Sequence, residues 1–305
     1  MFRSRQPKSN SNRVTFGICT KNNASTIKAT LESIIRLDYP SEQLKVVIVD
    51  GVSTDDSLVV SKNTLNKSRL RWSIFSDGGL GIGYARQVLV RRCKTEFLAF
   101  VDADQSLDPD WLKASLSFLS VHPEVVGVRG RQGLTRDLPF PSALENYVKY
   151  LEDNELPQQI RVDLFALGGS LFRTQSILDA GGFNSQFRLS AEDTDLAERL
   201  LRRGWKIVNL KSAVFYHSPR TSWRSLFRQY SSWGRNLAAV RNRYADSLGG
   251  LSDSKVLAES VSLTLLSLKN MPKAFACSKD LRCAFLPVHY LYKRAAFAMG
   301  FLLAH

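Results

Sequence analysis

Cysteine is scarce in this chain of 305 residues, and none of Cys19, Cys93, Cys277 and Cys283 stands at CxxC spacing. That pattern excludes a disulfide scaffold or zinc ribbon and favours reduced thiols, Cys19 in an apolar run and Cys93 on an expected helix. Acid is also short: 28 Asp and Glu against 42 Lys and Arg leave a formal charge of +14. Such a balance points to an anionic partner, whether phosphate, nucleic acid or an acidic lipid surface. The stretch Met1 to Arg13 is basic and polar with no apolar h-region. No secretory leader is therefore expected, residues 1–12 are expected to be disordered, and the catalytic part is expected in the cytosol. A clean apolar run near the ~20 residues of a spanning helix is missing too, because Lys293-Arg294 interrupts Ala284 to Ala304. The one glycine-rich stretch, Asp77-Gly78-Gly79-Leu80-Gly81-Ile82-Gly83, does not spell the dinucleotide fingerprint and precedes the wrong element. A nicotinamide dehydrogenase is thereby disfavoured. There is no internal repeat or low-complexity tract.

What remains is ordinary for a globular protein, 44% apolar and 23% charged, and long enough for one large α/β domain with an appendage. The first half alternates. Val14 to Cys19 reads as a strand and Ala24 to Leu37 as an amphipathic helix with Ile27, Leu31, Ile34 and Ile35 on one face. Leu44 to Val49 is a second strand, Asp55 to Leu65 a helix, Leu70 to Phe75 a strand, and Gly83 to Cys93 a helix. Phe97 to Val101 is nearly all apolar, as expected of a strand covered on both faces. The pattern predicts an α/β fold with a mostly parallel central sheet flanked by helices. Ligands in such sheets bind outside the carboxyl ends of the strands, where Asp50, Asp102 and Asp104 fall.

Two aspartates one residue apart, Asp102-Ala103-Asp104, follow the apolar strand. Taken alone they are also what a solvated acidic turn leading to Asp108-Pro109-Asp110 looks like. A third acidic pair, Glu192-Asp193, opens an apolar stripe of Leu196, Ala197 and Leu200 that Gly204 ends. Ser190, three residues before Asp193, fits a capping box. Asp193 then sits in a first helical turn, where the macrodipole favours its negative charge, and a carboxylate there can take a proton from an attacking hydroxyl. The alternative is an acidic turn that only stabilises its own helix.

From Val14 to Arg243 the chain resembles the nucleotide-sugar glycosyltransferases of family 2, which have the GT-A fold. The resemblance rests on Thr20-Lys21-Asn22, Asp50-Gly51-Val52-Ser53-Thr54-Asp55, Gly81 to Arg86, Asp102-Ala103-Asp104, Leu167 to Arg173, Ala180 to Phe183, and Glu192 through Trp205, in that order. It implies an inverting transfer from a nucleoside-diphosphate sugar, assisted by Mg²⁺ or Mn²⁺ held against the diphosphate. Asp104 would ligate the metal, Asp102 would reach the ribose or a metal-bound water, and Asp193 of the Glu192-Asp193 pair would be the general base. Asp50 would accept a hydrogen bond from the base, Thr20 would line the same site, and Ser53, Thr54 and Asp55 are expected to cap the following helix. Arg86 would lie near the sugar nucleotide; its usual asparagine neighbour is Gln87 here. Gly168-Gly169 and Gly181-Gly182 would let backbone line the acceptor and donor pocket, Gly169 and Ala103 on the donor side. His217 is the one histidine placed to act as a further metal ligand, although a packed or surface role is equally open.

Beyond it, Thr221 to Arg243 reads as a helix carrying arginines and no acid. Gln229-Tyr230-Ser231-Ser232-Trp233 resembles the QxxRW motif of processive synthases without its arginine, so a processive polymerase is not expected. This basic stripe suits a pyrophosphate or lipid phosphate at least as well as nucleic acid, and no nucleic-acid partner is expected. The expected organisation is a catalytic domain over 13–245 and a helical segment over 246–305. That segment is read either as an amphipathic pair on a membrane surface or as packing on the domain or in a homodimer. The acceptor would be a lipid-linked sugar, a polyprenyl phosphate or a growing glycan, with the enzyme peripheral on the inner face of the cell membrane. Competing readings are a nucleotidyltransferase of similar topology, for which Thr20 to Ala24 lacks the glycines, and a basic nucleic-acid-binding protein, for which no recognition motif is present.

Overall fold

The computed structural model describes residues 13–155, 157–158, 166–241 and 252–304. The stretch expected to be disordered, 1–12, and the expected boundary at 245/246 lie outside the described residues. Four strands, β1 (Val14–Thr20), β2 (Leu44–Asp50), β3 (Arg71–Ser76) and β4 (Phe97–Phe100), run parallel in the order β3-β2-β1-β4. Their register sets Thr20 beside Asp50 and Asp50 beside Ser76, so the polar strand ends line up along one edge.

The apolar runs are continuous because each strand feeds two cores. In β2, Val46 and Ile48 join one cluster with Ile27, Leu31 and Ile34 of α1 (Ile27–Ile35) and with Trp111 and Leu112 of a helix introduced below. Val47 and Val49 join another on the opposite face, with Ala85, Leu89 and Val90 of the helix Ile82–Arg92. Successive strand side chains point to opposite faces, so a strand covered twice has no place for polar residues. Each fully buried Leu or Ile contributes about 1.5–3 kcal/mol relative to exposure.

The connecting helices on this side are α2 (Ser57–Leu65) and α3 (Ile82–Arg92). Then follow β5 (Gln105–Leu107), α4 (Trp111–Val121), β6 (Val125–Gln132), α5 (Phe140–Glu155), β7 (Ser170–Arg173), α6 (Thr174–Asp179), α7 (Glu192–Arg202) and β8 (Lys206–His217). Here the sheet is mixed: β7 pairs antiparallel with both β4 and β6, and β5 antiparallel with β8, while β6 and β8 are parallel. The reversal has a local cause. Gly169 N–H donates to the carbonyl of Phe100, the last residue of β4 (2.9 Å), so β7 begins where β4 ends. The β5–β8 register pairs Gln105 with His217 and so carries His217 to Asp104.

A helical region closes one side: α5 with α8 (Trp223–Arg241), α9 (Asp253–Ser278) and α10 (Leu286–Leu302). A Cβ on Gly234 of α8 would come within 2.0 Å of the Phe297 carbonyl, and one on Gly300 of α10 within 2.0 Å of the Ser231 carbonyl. The two helices therefore touch backbone to backbone. The Glu145 carboxylate of α5 holds this region, accepting from the Tyr230 hydroxyl (2.6 Å) and approaching His289 Nε2 (2.8 Å) and Lys293 Nζ (3.7 Å).

Candidate active site at the strand ends

Thr20 and Asp50 are buried at the ends of β1 and β2. Asp50 Oδ2 accepts from Ser53 N–H (3.0 Å), but Oδ1 is buried with no hydrogen-bond partner among the described residues. A buried acceptor left open is costly unless something satisfies it. The residues expected to cap α2 do other work. Ser53 Oγ accepts from Asn22 N–H (3.0 Å), Thr54 N–H donates to Asn22 Oδ1 (2.8 Å), and Asp55 Oδ2 accepts from Ala24 N–H (3.0 Å). Only Asp55 also reaches the helix start, at Ser57 N–H (3.0 Å). These side chains fasten the β2–α2 turn to the β1–α1 turn and hold the ends of α1 back, so α1 starts at Ile27 and α2 at Ser57 instead of Ala24 and Asp55.

Asp77 holds the glycine-rich turn, its carboxylate accepting from Gly79 N–H (2.7 Å) and Gly81 N–H (3.2 Å). The turn leads into α3, where Arg86 is buried between two acids. Its guanidinium contacts the Glu192 carboxylate and lies 3.6 Å from Asp102 Oδ1. The pairing therefore joins residues 106 apart in sequence and ties the motif after β4 to the start of α7.

Asp102 and Asp104 leave β4 in a turn braced by Gln105, whose Oε1 accepts from Asp102 N–H (3.1 Å). Gly168 lies against this carboxylate; a Cβ there would come within 2.2 Å of Asp102 Oδ2. His217 Nε2 is 3.4 Å from Asp104 Oδ2. Burial pushes the Asp104 carboxyl up, but His217 and then Arg220 outweigh it and hold it below the usual carboxylate range. Burial pulls His217 down, yet Asp104 beside it raises the imidazole above its ordinary value. Asp102 is raised, by burial first and by Asp104 next, against the pull of Arg86.

At the start of α7, Ala191 adopts a left-handed conformation (φ 76°) and Ser190 does not cap the helix. The capping box expected there is absent because α7 starts at Glu192, which puts Ala191 and not Ser190 at the cap position; Ser190 Oγ accepts instead from Asn236 of α8 (2.6 Å). Glu192 is buried, with Oε2 unpartnered among the described residues, and burial pushes its carboxyl up to about 7 despite Arg86. Asp193 is half-buried beside it and its charge acts on both Asp102 and Arg86. Burial among Arg86, Asp102 and Glu192 also pushes the Cys19 thiol up to about 12. Thr20, Asp50, Arg86, Asp102, Ala103, Asp104, Gly169, Glu192, Asp193 and His217 thus all fall on the strand-end side of the sheet.

Among the described residues, no three His, Cys, Asp or Glu side chains form a metal cage. Asp104 and His217 face one another, while Asp102 leans to Arg86. The Asp104 carboxylate fits a hard divalent ion that takes its other ligands from phosphate and water, whereas the His217 imidazole is a softer donor than such an ion prefers.

Next to this point lies an open groove of about 370 Å³ lined by Arg220, Arg228, Gln229 and Trp233. Three supporting residues were silent in the sequence. Asp77, Gln105 and Gln87 (Oε1 accepting from Phe183 N–H, 2.7 Å) each brace a turn through its backbone. Only Asp77, followed by two glycines, carries a turn signature that could have been read.

The chain matches the model of Glycosyl transferase family 2 over residues 15–179 and that of Glycosyl transferase family 21 over residues 158–290. It is 32% identical over 219 residues to the poly(ribitol-phosphate) beta-N-acetylglucosaminyltransferase TarS of Staphylococcus aureus, covering 70% of this chain and 36% of that protein. It is 25% identical over 268 residues to glucomannan 4-beta-mannosyltransferase 7 of Arabidopsis thaliana, covering 79% and 44%. The chain thus spans less than half the length of these two relatives. The mannosyltransferase PcManGT from Pyrobaculum calidifontis, solved with GDP-Man and Mn²⁺, shares the fold with a TM-score of 0.68 at 20% identity, covering 97% of this chain and 88% of that one. S. aureus TarS 1–349 in complex with UDP-GlcNAc gives 0.53 at 18% identity, covering 95% and 90%.

Proposed function

The chain belongs to glycosyl transferase family 2, and from that premise we propose that it is an inverting glycosyltransferase moving a sugar from a nucleoside-diphosphate sugar to an acceptor hydroxyl. The acceptor is a lipid-linked sugar or a glycan, with a polyprenyl phosphate as the variant that brings no proton to remove. The enzyme works as a peripheral protein on the inner face of the cell membrane. One observation supports the reading: Arg86 lies between Asp102 and Glu192, which brings the Asp102-Ala103-Asp104 motif close to the start of α7, where Asp193 stands.

On the donor side, the open oxygen of Asp50 accepts a base N–H, and Thr20 lines the same pocket. Asp104 holds a divalent ion, Mn²⁺ or Mg²⁺, with His217 and Asp102 close by; when bound, that ion offsets negative charge on the departing diphosphate. PcManGT, solved with GDP-Man and Mn²⁺, supports such use. On the acceptor side, Asp193 takes the hydroxyl proton as the oxygen attacks the anomeric carbon from the face opposite the diphosphate. The new glycosidic bond forms as the bond to the diphosphate breaks, and the nucleoside diphosphate leaves. Glu192 is too deeply buried and too closely bound to Arg86 to exchange protons with an acceptor; it orients Arg86 and the α7 start. The arginines of the α8 groove, with Arg220 acting on Asp104, suit an acceptor bearing phosphate.

Hydrolysis of UDP- and GDP-sugars by the full chain tests this. Stimulation by Mn²⁺ or Mg²⁺ that disappears in Asp104→Ala is the expected result. Tight nucleic-acid binding with no response to any nucleotide sugar would favour a binding protein instead.

A further inference from the structure

The C-terminal helices leave a run of large apolar side chains in water. In α9 the buried side chains are mostly small or polar: Ser260, Ser267 and Asn270, with Val256 and Ala274. Ser260 Oγ donates to the Val256 carbonyl (2.7 Å), and Asn270 Nδ2 donates to the Tyr290 hydroxyl (3.4 Å). The outward side carries Leu257, Val261, Leu265, Leu268 and Phe275, exposed by 46%, 61%, 62%, 54% and 42%. Steps of four, four, three and seven residues put them on one helical stripe. In α10, His289 and Lys293 are buried while Val288, Leu291 and Met299 are exposed, and Leu281 and Phe285 project from the turn between the two helices. Leu286, Tyr290 and Phe301 fill the inner side of α10, so the outward apolar residues are an excess beyond the core, and a contiguous exposed apolar stripe marks an interaction surface.

We propose that this outward stripe of α9, with the adjoining face of α10, is an interfacial anchor lying in the headgroup region of an anionic bilayer. The proposal rests on the transferase reading only for its purpose, which is to bring the active site to lipid-borne acceptors. Charge selects lipid over a second copy of the chain. Lys255, Lys269 and Lys273 follow one line beside the stripe, at steps of fourteen and four. From Asp253 to Leu303 three acids, Asp253, Glu259 and Asp280, stand against seven bases; Asp280 is bound to Arg282 and Tyr147, Lys273 to Glu155 and Lys293 to Glu145, so the balance of the two helices stays positive. Two such faces in contact would bring like charges together in a chain of formal charge +14, whereas lipid phosphates would neutralise them. No helix among the described residues is long and apolar enough to cross a membrane, so the helices lie along the surface with their apolar side inward.

The test is co-sedimentation of the full chain with vesicles of phosphatidylcholine, alone or with about a third phosphatidylglycerol, at low and high salt. The wild type is expected to pellet with the anionic vesicles. Val261→Glu/Leu265→Glu, at two exposed positions, is expected to partition at least about tenfold less, while its thermal shift with nucleotide sugars stays unchanged. Lys255→Gln/Lys269→Gln is expected to lose about fivefold per lysine of the anionic preference. Equal pelleting of the glutamate variant and wild type overturns the anchor, as does a wild type that stays in the supernatant throughout. A concentration-dependent dimer in light scattering, abolished by the glutamate variant, would assign the face to a second copy. If vesicles bind as expected but no nucleotide sugar shifts the melting temperature of the wild type, the transferase reading fails and the anchor stands.

Discussion

The sheet region and the C-terminal helices of this chain place their polar side chains differently. Around β1 to β4 the buried positions are mostly aliphatic or aromatic, Thr15 being an exception, and Thr20 and Asp50 stand at the strand ends. Around α5, α8 and α10 apolar clusters that include Leu144, Val148, Leu226, Leu286 and Phe301 enclose a buried polar group of Glu145, His289, Lys293 and Tyr230, while part of the aliphatic side chains of α9 and α10 looks outward. The first region is stabilised by removing apolar surface from water. The second depends on a paired charge network whose members are costly to bury alone. A division of labour follows, with chemistry at the sheet and placement by the helices.

That contrast can be broken at its strongest point by Asp193→Asn. If acceptor activation belongs to α7 where it packs on the sheet, transfer falls by about 10³-fold or more with donor binding kept; equal loss of both, read by kinetics and nucleotide thermal shift, removes Asp193 from its role. Next in size is Glu145→Ala, which leaves buried Lys293 with only the more exposed Glu152 carboxylate, 3.8 Å away. The expected cost is about 3–5 kcal/mol in chemical denaturation, and a cost under about 1 kcal/mol would mean that the helices do not depend on that network. The contrast is sharpened by a matched pair. Leu31→Ala in the sheet core is expected to cost about 2–5 kcal/mol, whereas Leu265→Ala on α9 stays within about 0.5 kcal/mol in detergent-free solution. The smallest effect is one of pH. Burial pushes the Glu192 carboxyl up to about 7, above the ordinary glutamate range. The native state therefore binds more protons between that range and the raised value, and stability declines as pH rises through that window. Glu192→Gln should flatten this part of the melting-temperature profile, and an unchanged slope would show that Glu192 is not its source.

Much of the sheet region was legible in the sequence because its signals are local. Strand-length apolar runs separated by helical stripes identify β1 to β4, Asp102 and Asp104 follow β4, and Asp193 opens α7. Strand direction was less accessible: nothing within Ser170–Arg173 says that it runs against β4, since the Gly169 contact with Phe100 sets it from outside. Ser190 looked like a cap, but α7 starts at Glu192, too late for that role, and the Ser190 hydroxyl accepts from Asn236, forty-six residues on. Ser53 and Thr54 likewise answer to Asn22 across the fold. Gln87 stood out only as a departure from the usual asparagine, and Gln105 not at all, because both act on backbone groups of turns. In α9 the apolar residues were visible, but which side of the helix meets the protein was not, because Ser260, Ser267 and Asn270 compete for that place only once α10 is there.

The glycine crossing of α8 and α10 has a mechanical consequence. With no side chain between the two backbones, the joint has nothing compressible to absorb a displacement. A push on α10 is handed on to α8 and to the arginine-lined groove along it, as through a stiff lever. Whatever fixes the height of the outer helix also sets how far a substrate must reach to enter.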